Sequence, residues 1–279
     1  MKFVTYTCDR EAGARVGVLD GDTVCDVGFD DDMIAFIEAG APVNKSTPIE
    51  NAQLLAPLRP RSLRDFITFE GHLQTSYECL GLPIPEEWYK VPGYYKGMPD
   101  TVIGPDVEIP WPSYSDYIDC ELELAAVIGR KGKSISEDDA ADFIFGYTIW
   151  NDVSARDTQR VEMPIGTGPG KAKDWDGSNV IGPCIATADE LDGSNLRMIL
   201  RVNGDVWTDE SSSKMHYTFA EMLAYASQEQ TLYPGEIFGS GTPPGGSGID
   251  VGKRLKERDV IELQIEGIGI LRNAVGTKS

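Results

Sequence analysis

The chain has 279 residues, 41% hydrophobic and 9% aromatic, which leaves room for one large domain, alone or with a small companion, around a sizeable core. A formal net charge of −20 makes a field that repels nucleic acid and anionic membranes. The apolar runs are far too short to span a bilayer, no signal peptide is visible at the polar N-terminus, and the five cysteines form no Cys-x-x-Cys; this argues against a disulfide framework and a thiolate zinc site and fits a reduced, cytoplasmic compartment.

Thirty glycines and seventeen prolines predict many turns and a β-rich fold. Phe3–Tyr6 and Arg15–Leu19 read as strands, with Asp20-Gly21-Asp22 as a hairpin turn. Asp30 to Ala41 reads as a short helix with an acidic cap, and Pro48 to Pro60 as a proline-punctuated connection. A small N-terminal β-rich unit over residues 1–58 is expected, with the main domain over 59–279. From Ser62, a candidate cap, the residues Phe66, Phe69, Leu73, Tyr77 and Leu80 recur at helical spacing. If that stretch is helical, Asp65 and His72 share a face two turns apart. Residues 83–112 are loop-rich. Leu122–Ile128 and Phe143–Trp150 read as strands, the second buried. Ser136 with Asp139 and Thr218 with Glu221 form capping boxes, the latter opening a helix to about Gln228. Val260 to Glu266 alternates as a strand.

Several residues could carry chemistry. Glu121 and Glu123 stand one residue apart, so on a strand they share a face while Leu122 and Leu124 take the other, with roughly 6.5 to 7 Å between the two acidic positions. Like charges that close are tolerated when a cation lies between them, but an acidic pair on a strand is commonly a solvated edge face. Asp152, after the buried Phe143–Trp150 strand, could reach into a cleft or cap a turn. His72 is a candidate base among only two histidines, and His216, beside the Thr218 cap, reads as structural. The glycine-rich run from Gly168 contains Lys171 and Lys173 without the Walker spacing, and the run from Phe238 to Gly248 lets backbone approach a ligand or makes a tight surface turn. Neither Gly-x-Ser-x-Gly nor Gly-x-Gly-x-x-Gly occurs, which argues against a serine-hydrolase elbow and a Rossmann nucleotide site.

Five ordered segments together are more specific than any of these residues alone. They are Asp-Cys-Glu-Leu-Glu-Leu-Ala-Ala-Val-Ile-Gly, Gly-Tyr-Thr-Ile-Trp-Asn-Asp-Val-Ser-Ala-Arg-Asp-Thr-Gln, Ala-Lys-Asp-Trp-Asp-Gly-Ser-Asn-Val-Ile-Gly-Pro, Phe-Gly-Ser-Gly-Thr-Pro and Ile-Glu-Gly-Ile-Gly-Ile-Leu-Arg-Asn-Ala-Val. In these segments the chain resembles the fumarylacetoacetate hydrolase family from about residue 60 onward. The resemblance implies an α+β, β-rich fold, a mixed β-roll with a small N-terminal domain, usually a homodimer. It implies a divalent metal, Mg²⁺ or Mn²⁺, on Glu121, Glu123 and Asp152, with Asp65 as a fourth ligand found in some members. It assigns His72 as the base on water and Lys173 as an oxyanion-binding lysine. For the glutamate that orients the base, Thr75 occupies the position usual in smaller members, and Glu70 is preferred to Glu78 as its replacement. Gln159, Thr242, Tyr95 and Arg156 match positions at or near the substrate. The implied reaction is hydrolytic C–C cleavage of a small anionic 2,4-dioxo acid, an acylpyruvate or a fumarylacetoacetate-like acid, through a metal-bound enolate. Oxaloacetate decarboxylation and isomerisation or decarboxylation of an unsaturated 2-oxo-dioate are alternatives on the same site. A non-catalytic metal- or ligand-binding protein is the alternative of another class.

Overall fold

The computed structural model describes residues 1–8, 13–44, 46–78 and 81–278. Its centre is the strand Leu122–Ile128, in which every residue is buried. Leu122, Leu124, Ala126 and Ile128 face one apolar cluster, while Ala125 and Val127 face another. A strand buried on both faces must be apolar throughout. Glu123, which shares the side of Ala125 and Val127, breaks that rule at the end of the strand.

Around this centre runs a 12-stranded mixed sheet. On one side of Leu122–Ile128 come Ile144–Asp152, Asn179–Thr187 and Lys2–Thr7, all antiparallel. The hairpin Arg15–Asp20 and Thr23–Asp26 continues the sheet, turning through Gly21 at φ +59°. The N-terminal strands therefore extend the central sheet through pairing of Lys2 with Ala186. On the other side, Glu236–Gly239 pairs antiparallel with the centre and parallel with Ser62–Phe66, and Tyr94–Gly97 closes the edge.

A second, four-stranded antiparallel sheet holds Asp205–Ser211, Arg197–Val202, Val260–Ile265 and Gly269–Ala274. Val260–Ile265 buries alternate residues, as its period-2 pattern requires. Its Ile261, Leu263 and Ile265, with Met198 and Leu200, fill the larger core cluster. The opposite face of the central sheet is covered by the short helix Met33–Glu38, whose Met33, Phe36 and Ile37 are buried and whose Asp32 caps Ala35 N at 2.8 Å. Thr218 and Glu221 form the expected reciprocal cap on helix Phe219–Ala226. Ser136 and Asp139 bond each other ahead of a 3-10 turn at Ala140–Phe143.

The helix expected from Ser62 is replaced by two elements. Ser62–Phe66 is a strand, and the helix runs only from Glu70 to Glu78. Leu63 and Phe66 are fully buried because a parallel strand distant in sequence, Glu236–Gly239, covers them, pairing Ile237 with Leu63 and stacking Phe238 on Phe66. Leu80 lies outside the described residues. Among the described residues no helix is long and apolar enough to cross a membrane.

Candidate active site

Strand register gathers the acidic residues. Glu123 pairs with Trp150 across the ladder, Asp152 pairs with Asn179, and Asp65 pairs with both Gly239 and Tyr95. Paired residues of neighbouring strands project to the same side. Asp65, Glu123 and Asp152 therefore lie on one side of the sheet, in the rows of Leu63, Ala125 and Trp150. Glu121, just before the central strand, joins them, bridged to Ser247. All four carboxylates are buried, and one oxygen of each lies within 4.8 Å of the others.

Glycine makes the convergence possible at Gly239, between Glu123 and Asp65. A Cβ there would sit 2.5 Å from Glu123 Oε2 and 2.6 Å from Trp150 Cζ3. Gly239→Ala is therefore expected to displace the Glu123 carboxylate and to abolish the rise in melting temperature that Mg²⁺ gives the wild type; an equal rise in both proteins would show that the spacing is not needed.

Two buried cations answer the acids. Lys173 Nζ donates to Glu121 Oε2 at 2.6 Å and also to Asp152 Oδ2. Arg156 pairs with Glu121 Oε1 at 2.7 Å and with Asp119 Oδ2 at 2.9 Å, and holds Gln159 Oε1 at 3.0 Å. Tyr95, on the edge strand, donates to Asp152 Oδ2 at 2.5 Å, with Lys173 Nζ 5.2 Å from its ring centre. Burial works to raise the Glu121 carboxyl, but Lys173 and Arg156 outweigh it and hold it at about 2. Asp65 and Glu123 have less help. Burial, with repulsion from Asp152 and, for Glu123, from Asp65, pushes both well above the usual carboxylate range. Asp152 is raised too, chiefly by burial, despite Lys173.

The arrangement fits a hard divalent cation. Asp65 Oδ1, Glu123 Oε1 and Asp152 Oδ1 are buried without a hydrogen-bond partner among the described residues. Two ionised carboxylates no more than 4.8 Å apart repel by about 3 kcal/mol or more at an effective dielectric constant of about 20. Four carboxylates against Lys173 and Arg156 leave the fully ionised cluster two charges negative, and Arg156 is shared with Asp119 as well. Oxygen donors of this kind suit Mg²⁺ or Mn²⁺.

His72 lies at 12% side-chain exposure on the helix Glu70–Glu78, not on a helical face shared with Asp65, which belongs to a strand. Glu70 does not orient it: the Glu70 carboxylate is exposed and accepts from Tyr89 Oη at 2.5 Å. Being on the same helix, two residues away, Glu70 faces a different direction from His72. The partner of His72 is Asp250, whose two oxygens each lie 2.9 Å from Nδ1. A Cβ at Gly71 would be 2.6 Å from Pro244 Cγ, so this glycine lets the helix close on the turn that carries Asp250. Asp119 fixes that turn, accepting from Gly248 N at 2.7 Å and Ile249 N at 3.0 Å while gripping Arg156.

Asp250 and Asp119 escaped the sequence reading. Asp250 sits 178 residues beyond His72 at the end of a run that resembles a surface turn. Asp119 carried a signal, since it precedes Glu121 by two and shares its strand parity. Thr242 is buried beside Gly241, whose N–H donates to Glu123 Oε2 at 3.3 Å. His216 is exposed and packs on Trp88 and Tyr217, away from these contacts.

Residues 64–276 match the model of the fumarylacetoacetate hydrolase C-terminal family. The chain is 37% identical over 208 residues to a mitochondrial oxaloacetate tautomerase of Xenopus laevis, covering 71% of this chain and 61% of that protein. It is 44% identical over 164 residues to an uncharacterized protein of Methanocaldococcus jannaschii, covering 59% of this chain and 64% of that one. In both cases the matched segment is less than two thirds of the relative's length. Among solved structures, the fumarylacetoacetate hydrolase of the psychrophilic Exiguobacterium antarcticum superposes with a TM-score of 0.85 at 27% identity, over 99% of each chain. A 5-carboxymethyl-2-hydroxymuconate delta-isomerase from Mycobacterium smegmatis superposes at 0.79 and 29% identity, again over 99% of each chain.

Proposed function

The chain belongs to the fumarylacetoacetate hydrolase family, and from that premise we propose that it hydrolyses a C–C bond in a small 2,4-dioxo acid with the help of Mg²⁺ or Mn²⁺. The observation that carries this reading is the His72–Asp250 pair, with His72 close enough to Glu121 in the carboxylate cluster to help lower its pKa. A carboxylate only accepts, so Asp250 holds the proton on Nδ1 and leaves Nε2 as the free base. This is the orientation a histidine needs to activate water.

Asp65, Glu121, Glu123 and Asp152 would hold the cation, which when bound supplies a Lewis acid for neighbouring oxygens of the substrate. His72 Nε2 takes a proton from water, and the water oxygen adds to the ketone carbon remote from the carboxylate. The bond from that carbon to the adjacent methylene breaks, and its electron pair leaves as the enolate of a 2-oxo acid. The proton on His72 is then delivered to the former methylene carbon of that enolate, giving a carboxylic acid and a 2-oxo acid. Lys173 stays cationic to face the developing negative charge: burial would lower its pKa, but Asp152 and Glu121 more than offset this and raise it above the ordinary lysine value.

A second reading is favoured by the relative named as an oxaloacetate tautomerase. Keto–enol exchange of oxaloacetate uses the same base to move a proton between carbon and oxygen and consumes no water. Decarboxylation of oxaloacetate and isomerisation of an unsaturated 2-oxo-dioate fall in the same group. Assaying acylpyruvates, fumarylpyruvate and oxaloacetate with Mg²⁺ separates them, and turnover of none would favour a binding protein. His72→Ala and Asp250→Asn are each expected to lose about 10²-fold or more in hydrolysis while keeping the Mg²⁺-induced rise in melting temperature. Glu70→Gln should leave the rate within about twofold, as for a surface change away from the site. Equal losses from Glu70→Gln and Asp250→Asn would show that the Asp250 contact does not orient the base.

A further inference from the structure

Ser247 occupies a position where serine normally caps a helix, yet it does not cap. It precedes the short helix Gly248–Val251 with extended φ −141° and ψ 162°, and its side chain makes no cap hydrogen bond. The Asp119 carboxylate takes the N–H groups of Gly248 and Ile249, the second of which a serine cap could have served. Its hydroxyl is thereby left over. The residue is 0% exposed, and Oγ has no partner among the described residues. A buried hydroxyl without a partner costs stability, and alanine would fill the same space without that cost.

The backbone shows where the hydroxyl lies. Ser247 and Glu121 form an antiparallel bridge, supported by Leu122 N donating to Gly246 O at 3.0 Å. Residues opposite each other in such a pair project to the same side, with Cβ atoms roughly 4.5–5.5 Å apart. The Ser247 side chain therefore stands beside that of Glu121, on the side where the carboxylates converge. Thr242, in the same glycine-rich turn, presents a second buried hydroxyl without a partner among the described residues. Gly246 keeps the turn tight, since a Cβ there would sit 2.7 Å from Thr242 Cγ2. The walls of the site are rich in carboxylate acceptors, whereas an anionic substrate needs donors.

We propose that the Ser247 hydroxyl is a substrate-binding group that donates a hydrogen bond to an oxygen of the bound 2-oxo acid beside Glu121. The inference rests on the reading of the site as one for 2-oxo acids. The test uses oxalate, a small dianion with the same vicinal oxygens, titrated calorimetrically into the full chain with saturating Mg²⁺; melting curves with Mg²⁺ alone run in parallel. Ser247→Ala should bind oxalate roughly fivefold more weakly, the loss of about one hydrogen bond. It should melt no lower than wild type without ligand and keep the full Mg²⁺-induced rise. Oxalate affinity within twofold of wild type overturns the inference. So does loss of the Mg²⁺-induced rise, which would assign the hydroxyl to the cation or its waters. If Ser247→Ala folds poorly, Ser247→Cys, which keeps the volume with a weaker donor, is read by the same criteria. Failure of the wild type itself to bind oxalate with Mg²⁺ overturns the underlying reading of the site instead.

Discussion

Glu123→Gln is expected to abolish metal-dependent turnover while raising the melting temperature of the metal-free protein. Both effects come from one carboxylate. Glu123 is 0% exposed, and its Oε1 has no partner among the described residues. The same carboxyl is pushed well above its usual range by burial and by Asp65 and Asp152. Without a cation it is a source of repulsion, which glutamine removes at nearly constant volume. With a cation it is a ligand, which glutamine replaces by a neutral and weaker one. Groups that merely support metal ligands cost about 10–100-fold when removed, so loss of a ligand should cost at least about 100-fold. Binding of Mg²⁺ to the folded state alone raises stability by mass action, so the melting shift measures the site independently of catalysis. Wild-type turnover in Glu123→Gln, or an unchanged Mg²⁺-induced shift, would contradict the assignment.

Lys173→Met should have the opposite sign in the metal-free protein. Lys173 bridges Glu121 and Asp152 in a buried network, and its removal leaves the four carboxylates of the cluster facing one another with Arg156 as the remaining close cation. Breaking a buried pair by deleting one partner costs about 3–5 kcal/mol, because the remaining charge is uncompensated. For a chain of 279 residues this corresponds to a fall of roughly 6 °C or more in melting temperature. Mg²⁺ should recover more stability in Lys173→Met than in wild type, since the cation then meets a more negative cluster. Turnover should stay low even with Mg²⁺, because the cation facing the developing enolate is gone. Equal melting of the two proteins in EDTA would mean that the lysine does not compensate the cluster.

The contrast between these residues and His72 shows what was legible in the sequence. Glu121, Glu123 and Asp152 announce themselves locally: two acids of equal strand parity, and a third at the end of a strand otherwise apolar. Once those strands pair antiparallel in the observed register, the acids must meet. Lys173 donates to Glu121 and Asp152, and Tyr95 to Asp152. The stretch from Ser62 misled because Phe66, Phe69, Leu73 and Tyr77 keep helical spacing across a boundary between strand and helix. What makes Ser62–Phe66 a strand is a parallel partner far along the chain, and no window of local sequence contains it. Asp250 was hidden for the same reason. Its meaning comes from a helix that packs on its turn through Gly71, while Glu70, the nearer acid, is turned toward Tyr89. Local pattern finds the carboxylates that strands carry, and long-range packing chooses the partner of His72.

A catalytic cation in the carboxylate cluster, serving an enzyme of 2-oxo acids, is open to one direct test. Titrating Mg²⁺ into EDTA-treated wild-type protein, with melting temperature and acylpyruvate cleavage followed on the same samples, tests it most directly. Both should rise together along one saturation curve from little or no activity. Full cleavage in EDTA, with a melting temperature that Mg²⁺ does not move, would contradict it.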